Sequence, residues 1–476
     1  FYPGYEYRVD RNVITRSQTD SVIYSADNFE EHLFFLRNSD TLKTIFNASY
    51  SIRKDRWPEF GEMVTRNIAR TTNLMVGTGR GKLGKLDVNV TYRELAYLGN
   101  NTSPDIKSLL GRLDWSADFL KKHISSEIMY AIGNGRELKR EYVFIPVPLG
   151  EGTHTWRDDN QDGKQDLDEF YLAINNDERN YIKLFTPTDE YVLAYDNNLN
   201  YRLTLEMPRK WKNTHGIKKF LGRFSNNLNV SLKQKTADDR FVDNLLFNHG
   251  GIFNDKLISY RDNIRNNLYF NRADPRYGFE LLFFRLRNKQ LLSEGFEARN
   301  SSNLKAISRL SINRDYNLRL TVGNSMVDNS SDFLENRNYL INRKSLTGTF
   351  EWQPTNSFRI TTDYTFSDNV NERSLEIVKE ASVINEALVN FKYAKAANKN
   401  IDLSFRFTHI DFTGEENSAV GYELLKALQP GKNITWTLSW QQKLFNGLQM
   451  NLFYEGRKSG DLDIIHIGRM QVMAMF

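Results

Sequence analysis

An all-β fold, specifically a transmembrane antiparallel up-and-down β-barrel of about 18 strands (16–20), is what three features of the 476-residue sequence predict. Apolar and polar residues alternate one by one through stretches of about 10 to 16 residues, longer than the usual run of about 5 or 6 in globular sheets. No window approaches 18 consecutive apolar residues, so the sequence encodes no membrane-spanning helix. The connections alternate in length, as in barrels whose periplasmic turns are short and whose extracellular loops are long.

Composition fits this reading. The 64 Lys plus Arg and 59 Asp plus Glu leave a net charge of +5, too small for the length to mark a nucleic-acid binder. Cysteine is absent, which excludes a disulfide framework, thiol chemistry and any Cys-containing metal site. With 23 Tyr and 31 Phe the chain is rich in aromatics, yet its mean hydropathy is −0.58. Two-faced strands reconcile these facts, because a lipid face and a lumen face cancel in any average. A soluble sandwich or propeller would also do so.

In chain order, the opening stretch FYPGYEYRVDRNVITRSQTD has no apolar core and is no signal peptide, and the sequence does not begin with Met. Residues 1–40 are therefore read as a periplasmic N-terminal segment, the remnant of a longer chain, and 41–476 as the barrel. Leu86, Val88, Val90 and Tyr92 alternate with Asp87, Asn89, Thr91 and Arg93, and Leu199, Tyr201, Leu203, Leu205 and Met207 form the same comb. The comb returns at Leu228/Val230/Leu232, Leu318/Leu320/Val322, Leu346/Gly348/Phe350/Trp352, Phe358/Ile360/Thr362/Tyr364/Phe366, Ile401/Leu403/Phe405/Phe407 and Ile434/Trp436/Leu438/Trp440.

Short connections are expected near 80–84, 122, 212–216, 273–276, 313–316, 353–356, 396–399 and 445–447, and long ones at 55–62, 99–107, 138–190, 237–255, 294–300, 329–336, 368–376, 414–432 and 457–463. Counted through this alternation, 41–476 gives about 18 strands with both ends on the short-turn, periplasmic side. The chain stops inside a comb, with Met470, Val472, Ala474 and Phe476 on one face. In a barrel the last strand closes against the first, and a C-terminal aromatic of this kind is what insertion machinery reads; a truncated chain could also end on Phe by chance.

The sharpest local motif is DDNQDGKQDLDE, which matches the calcium loop D-x-[DN]-x-[DN]-G-x5-E. Asp158, Asn160 and Asp162 supply side-chain oxygens, Gly163 the sharp turn, Lys164 its carbonyl, Asp166 the ninth position and Glu169 the bidentate twelfth. The expectation is one structural Ca²⁺. The flanks GEGTHTWR and FYLAINN do not read as paired helices, so the ion would stiffen the loop rather than act as a sensor. A solvated acidic loop is the plainer alternative.

No catalytic constellation stands out. His32, His123, His154, His215, His249, His409 and His466 are scattered, without HExxH or GxSxG. His409 near Asp411 and His249 in NHGGIFND are the closest to a catalytic grouping, and ordinary loop or lumen roles suit both better. GTGRGKLGK and IGNGRE lack the strand-to-helix context of a phosphate loop and read as turns or weak strand ends. Arg93, Glu94, Arg112, Asp114, Arg285, Arg319, Arg359, Asp363 and Arg406 suit either a hydrated pore or a lumen braced by ion pairs. In AVGYELLKALQ, Val420, Leu424, Ala427 and Leu428 share a helical face, which predicts a short amphipathic helix at the rim or the last part of a β-ribbon.

SADNFEEHLFFLRNSDTL, EGTHTWRDDNQDGKQDLDEFYLA followed by YIKLFTPTDEYV, and the terminal stretch from GYELLKALQPGKNITWTLSWQQ to HIGRMQVMAMF resemble the C-terminal barrel region of large uncharacterised outer-membrane proteins of Bacteroidota. The likeness runs along most of the chain and implies a further N-terminal region. The type 9 secretion translocon SprA, a larger pore, is a functional neighbour of that group. The resemblance also implies periplasmic O-glycosylation at Asp-Ser/Thr-aliphatic triplets, which Asp20-Ser21-Val22 and Asp40-Thr41-Leu42 match. Together these readings lead to the expectation of a non-enzymatic outer-membrane barrel, embedded in lipid and lipopolysaccharide. It would join other outer-membrane proteins or lipoproteins in an export, assembly or surface-anchoring complex and bind no nucleic acid. The alternatives are an uptake pore for a nutrient or glycan and a soluble β-rich carbohydrate-binding or enzymatic protein.

Overall fold

In a computed structural model of the chain, the described residues are 1–12, 27–39, 42–59, 62–81, 84–98, 105–237, 256–373, 379–395, 398–444 and 447–474. The strands are β1 (Tyr2–Asn12), β2 (Asp27–Arg37), β3 (Thr44–Glu59), β4 (Glu62–Gly81), β5 (Gly84–Tyr97), β6 (Ile106–Phe119), β7 (Ile124–Pro146), β8 (His154–Trp156), β9 (Phe170–Leu172), β10 (Tyr181–Glu206) and β11 (Phe224–Thr236). They continue with β12 (Leu257–Phe270), β13 (Tyr277–Leu291), β14 (Phe296–Ser311), β15 (Tyr316–Ser331), β16 (Tyr339–Thr355), β17 (Phe358–Asn371), β18 (Ala381–Lys395), β19 (Lys399–Thr413), β20 (Gly431–Lys443), β21 (Leu448–Ser459) and β22 (Ile465–Ala474). All belong to one sheet. The only α-helical turns among the described residues are α1 (Ile217–Leu221) and α2 (Ala419–Leu424). This is the all-β, up-and-down antiparallel architecture that the alternation predicts. Among the described residues, and setting aside the three-residue β8 and β9, the strands from β3 to β22 number 18, as expected from Thr41 onward, and β1 and β2 add two more to the sheet.

The chain divides into two compact units. In the first (Phe1–Leu138, Tyr191–Leu205 and Leu228–Asp262), β1 to β6 each pair antiparallel with the next strand, and β6 pairs with the first half of β7. The sheet therefore extends upstream of Thr41: Tyr2–Asn12 and Asp27–Arg37 are strands, and β2 is in register with β3 from Asn28↔Arg56 to Arg37↔Asn47. Val76↔Val88 and Leu74↔Val90 place the apolar comb of β5 on one face with that of β4. The pairing of β4 with β5 shifts register between Thr78 and Gly81 and ends at Gly81↔Gly84. Gly84 has φ +89, and a Cβ there would fall 2.2 Å from the Ser116 carbonyl oxygen, so the backbone admits no side chain at that position.

In the second unit (Lys139–Glu190, Glu206–Asn227 and Asn263–Phe476), β13 to β22 form a meander in which each strand pairs antiparallel with the next. Register puts the apolar combs on a single face. Val322 faces Leu346, which faces Phe366; Phe391 faces Leu403, which faces Leu438. These side chains are bare: Leu320 is 49% exposed, Val322 52%, Leu346 47% and Phe405 44%. From Tyr316 to Val322 the uninterrupted apolar face of β15 runs about 20 Å at about 3.3 Å per residue, most of the roughly 25 Å lipid-facing band of an outer-membrane barrel, before Asn324 interrupts it opposite Lys344. At the end with the short turns it finishes in an aromatic row: Tyr316 faces Trp352, and Phe358 faces Tyr393. Gly456 makes room for the Trp436 ring, which a Cβ would approach to 2.1 Å.

The opposite face of this unit is polar and bends round on itself. Lys183 of β10 meets Glu297 of β14 at 2.8 Å, and Tyr142 of β7 donates to the same carboxylate at 3.1 Å, although neither β7 nor β10 is a hydrogen-bonding neighbour of β14. The buried apolar residues lie on this face. Tyr171, Tyr339, Ile341, Ala419, Val420, Tyr422 and Leu424 form one cluster, and Ile384, Ile410 and Leu425 another.

Four connections differ from expectation. The long loop expected at 138–190 is shorter, because β7 runs on to Pro146 and β10 resumes at Tyr181, leaving an insertion over 147–180. There Tyr142 is buried while Val143 and Ile145 are exposed, so both faces are apolar and the comb is hidden. The turn expected at 212–216 is a 207–223 connection that holds a 3₁₀ turn, Arg209–Asn213, with Pro208 at its N-cap, and α1. Much of the long connections expected at 55–62 and 294–300 is strand: β3 pairs with β4 as far as Glu59↔Glu62, and β14 begins at Phe296. Trp57 and Pro58 lie in the last pairs of β3 beyond a bulge at Asp55/Arg56, and Gly295, with φ +145, closes the 292–295 turn.

Candidate functional site

The insertion 147–180 is a small hairpin whose loop is the candidate metal site. β8 and β9 pair through Thr155↔Tyr171 and Trp156↔Phe170, and His154 pairs with Tyr181 at the start of β10. The Arg157 amide donates to the Glu169 carbonyl at 3.0 Å and closes the loop. Within it, the Asp158 carboxylate accepts from the amides of Asp162 (3.1 Å) and Gly163 (2.9 Å), Asn160 Oδ1 accepts from Asp162 (2.8 Å), and Asp162 Oδ1 accepts from Lys164 (2.8 Å). Gly163 takes φ +73, the left-handed conformation the sixth position of a calcium loop requires. The order and turn of the predicted loop are thus in place.

The carboxylate at its end is engaged elsewhere. Glu169 is 2% exposed and accepts from Trp156 Nε1 at 2.8 Å, from the Asp159 amide at 3.2 Å and from the Asp166 amide at 3.4 Å. Asp166 begins the 3₁₀ turn Leu167–Glu169. Lys164 puts its ammonium 3.9 Å from Asp162. Among the described residues no group of three His, Asp or Glu side chains converges closely enough to hold a metal. The residue types fit a hard cation, and the Asp158, Asn160 and Asp162 oxygens, which accept one amide each, keep a second lone pair, whereas Glu169 Oε2 accepts from both Trp156 and the Asp166 amide. An ion would have to draw Glu169 away from Trp156. Sequence reading passed over Asp159: burial raises its carboxyl pKa, and the Tyr171 hydroxyl that donates to it partly offsets the rise.

The hairpin docks on the polar face of its own unit through contacts that alternation could not reveal. Tyr171 stacks on Tyr422 of α2 (centroids 4.9 Å), whose hydroxyl accepts from the Ile174 amide at 3.3 Å. Phe170 stacks on Phe144 at 4.1 Å. Arg457 of β21, 6% exposed, donates to Asp177 and, at 3.0 Å, to Glu178. Asn336 donates to Asp168 at 2.5 Å. The stretch 419–424 is helical, the first of the two forms expected for it, and is capped by Ser418, which accepts from the Gly421 amide at 2.9 Å. The helix is buried in the cluster rather than lying on a rim.

Of the charged residues expected on the lumen face, Arg112 pairs with Asp114 at 2.6 Å, Arg406 with Glu386 at 3.8 Å and Arg359 with Glu351 at 3.7 Å, while Asp363 accepts from Thr349 at 2.5 Å. These contacts brace neighbouring positions of the sheet. Two residues lie on the other face. Glu94 shares the side of Tyr92, which donates to it at 2.8 Å, and Arg285 stands opposite Ser302 on the face of Phe283 and Leu304. Strands with both faces mixed hide such exceptions. His409 meets Asp411 of its own strand at 3.3 Å. His249, the triplet Asp20-Ser21-Val22, Asp40, Thr41 and Phe476 lie outside the described residues.

No family model and no curated protein sequence matches the chain. Among solved structures, the chain is similar to OmpT, an outer membrane protein of Vibrio cholerae, at 7% identity and a TM-score of 0.28, over 87% of this chain and 93% of that one. It is also similar to the outer membrane transporter YddB from Escherichia coli, at 6% identity and a TM-score of 0.31, over 99% of this chain and 73% of that one. Likenesses this distant carry no functional argument. The strand register does.

Proposed function

We propose that this chain is an outer-membrane β-barrel that serves, without catalysing a reaction, as the membrane-embedded part of an export, assembly or surface-anchoring complex. The observation that carries the reading is the predominantly apolar face shared in register across β13–β22, exposed and about 20 Å tall on β15. A water-soluble protein rarely leaves so large an apolar patch uncovered. Lipid and lipopolysaccharide would cover it, and partner outer-membrane proteins or lipoproteins would be held at the ends. The docked hairpin and α2, buried against the polar face through Tyr171, Tyr422 and Arg457, support a filled scaffold over an open uptake pore. In this reading the short turns are periplasmic and the hairpin extracellular. One Ca²⁺ in the loop of Asp158, Asn160, Asp162, Lys164, Asp166 and Glu169 would stiffen it.

Detergent-solubilised protein, run on a gel with and without boiling, tests the barrel. Faster migration of the unboiled form is expected, and identical migration refutes it. Recordings in planar bilayers then separate a filled scaffold from a pore, since steady single-channel conductance would favour uptake.

A further inference from the structure

The second unit holds a cavity of about 300 Å³ between the docked hairpin and strands β13–β16, at the lower end of the usual volume for small-ligand sites. Its walls combine aromatic side chains, among them Phe144, Tyr171, Phe185 and Tyr339, with charged and amide side chains. Most of the charge is already neutralised: Lys183 pairs with Glu297 at 2.8 Å and Arg299 with Glu423 at 3.2 Å. Arg337 is different. Its guanidinium lies 5.6 Å over the Tyr171 ring, and its one polar contact is a long 3.5 Å donation to the Leu167 carbonyl, with no acidic partner among the described residues.

We propose that this cavity binds an acidic monosaccharide, free or as the end residue of a glycan, with its carboxylate on Arg337. A planar guanidinium with unused donors is suited to a two-point grip on a carboxylate. That anion would balance the lining, in which Lys183, Arg299 and Arg337 stand against Glu297 and Glu423. Phe185, which also lines the cavity and is 39% exposed, offers an apolar surface for the C–H side of a sugar ring. The amides of Asn288 and Gln290, which also line the cavity, can both donate to and accept from ring hydroxyls. The site is reachable from water, since the Arg299 side chain is 43% exposed. Every lining residue belongs to one compact unit, so the inference stands apart from the membrane reading.

Calorimetric titration of the solubilised protein with sodium glucuronate, glucose and sodium benzoate tests it. Saturable binding of glucuronate, at least tenfold tighter than that of either other compound, is expected. Arg337→Gln should weaken glucuronate tenfold or more, and Arg337→Lys by less. Glucose binding as tightly would show that no carboxylate is read, and benzoate binding as tightly would show that no hydroxyls are; either overturns the proposal. So does the absence of saturable binding, or unchanged binding in Arg337→Gln. Should that variant not fold, by circular dichroism, the three-compound comparison on the unaltered protein decides.

Discussion

Arg457 and Asp177 form an ion pair in which each side chain is only 7% exposed, and the pair joins a strand of the sheet to the hairpin inserted between β7 and β10. Removing one partner of such a pair leaves the other charge buried without compensation, which costs about 3–5 kcal/mol. Arg457→Met is therefore expected to undock the hairpin while leaving the strands formed. Limited proteolysis checks this: cleavage within 147–180 should become fast, with circular dichroism unchanged.

Calcium should protect the same segment. If the loop binds calcium as proposed, Glu169→Gln would remove its bidentate ligand and weaken that binding on the order of tenfold or more. If resistance of 147–180 to protease is the same with calcium and with chelator in the unaltered protein, the metal reading is wrong.

Hairpin docking should also depend on pH through His154, whose pKa is pushed down to about 4 by burial and by the nearby Lys183 ammonium. Unfolded, a histidine titrates near 6.5. Between these values the undocked form binds a proton that the docked form does not, so stability rises with pH across this window and falls as pH drops from 6.5 toward 4. The contribution is full above 6.5. Proteolysis of 147–180 should accelerate as pH falls through that range, and His154→Phe should flatten the dependence. An equally steep profile in the variant contradicts the assignment.

Leu320→Arg puts a charge in the middle of the apolar face and should destabilise the protein in lipid by about 2–4 kcal/mol. Thr321→Arg, one residue along on the polar face, should cost far less. Denaturant unfolding in liposomes compares the two.

The strands were legible because burial on one side only imposes a period of two, and Leu318/Leu320/Val322 or Leu403/Phe405/Phe407 carry that period without interruption. Where both faces are apolar, as around Tyr142, Val143, Phe144 and Ile145, the period vanishes and a strand passes for a loop. The pairing of Trp57 to Glu59 with Glu62 to Val64 and the tight 292–295 turn were missed for a related reason: Pro58 and the run from Glu294 to Asn300 suggest loops, but the residues there keep their cross-strand partners. The calcium motif was legible as a pattern because its turn is local, set by Gly163 and the side chain-to-amide contacts of Asp158, Asn160 and Asp162. The orientation of Glu169 was not, since it depends on Trp156. Docking through Tyr171, Tyr422 and Arg457 joins residues some 250–280 positions apart, and no local period encodes that.

Which side of the sheet meets lipid decides the function proposed for this chain. The native chain has no cysteine, so single nitroxide labels can be placed at will in liposome-reconstituted protein at 320, 346 and 405 and at their strand neighbours 321, 347 and 406. Collisions with oxygen, which concentrates in hydrocarbon, should dominate at the first three, with a water-soluble nickel chelate nearly excluded, and the preference should weaken or reverse at the neighbours. Equal access of both quenchers to Leu320, Leu346 and Phe405, or shielding of all three from both, would contradict a lipid-facing band.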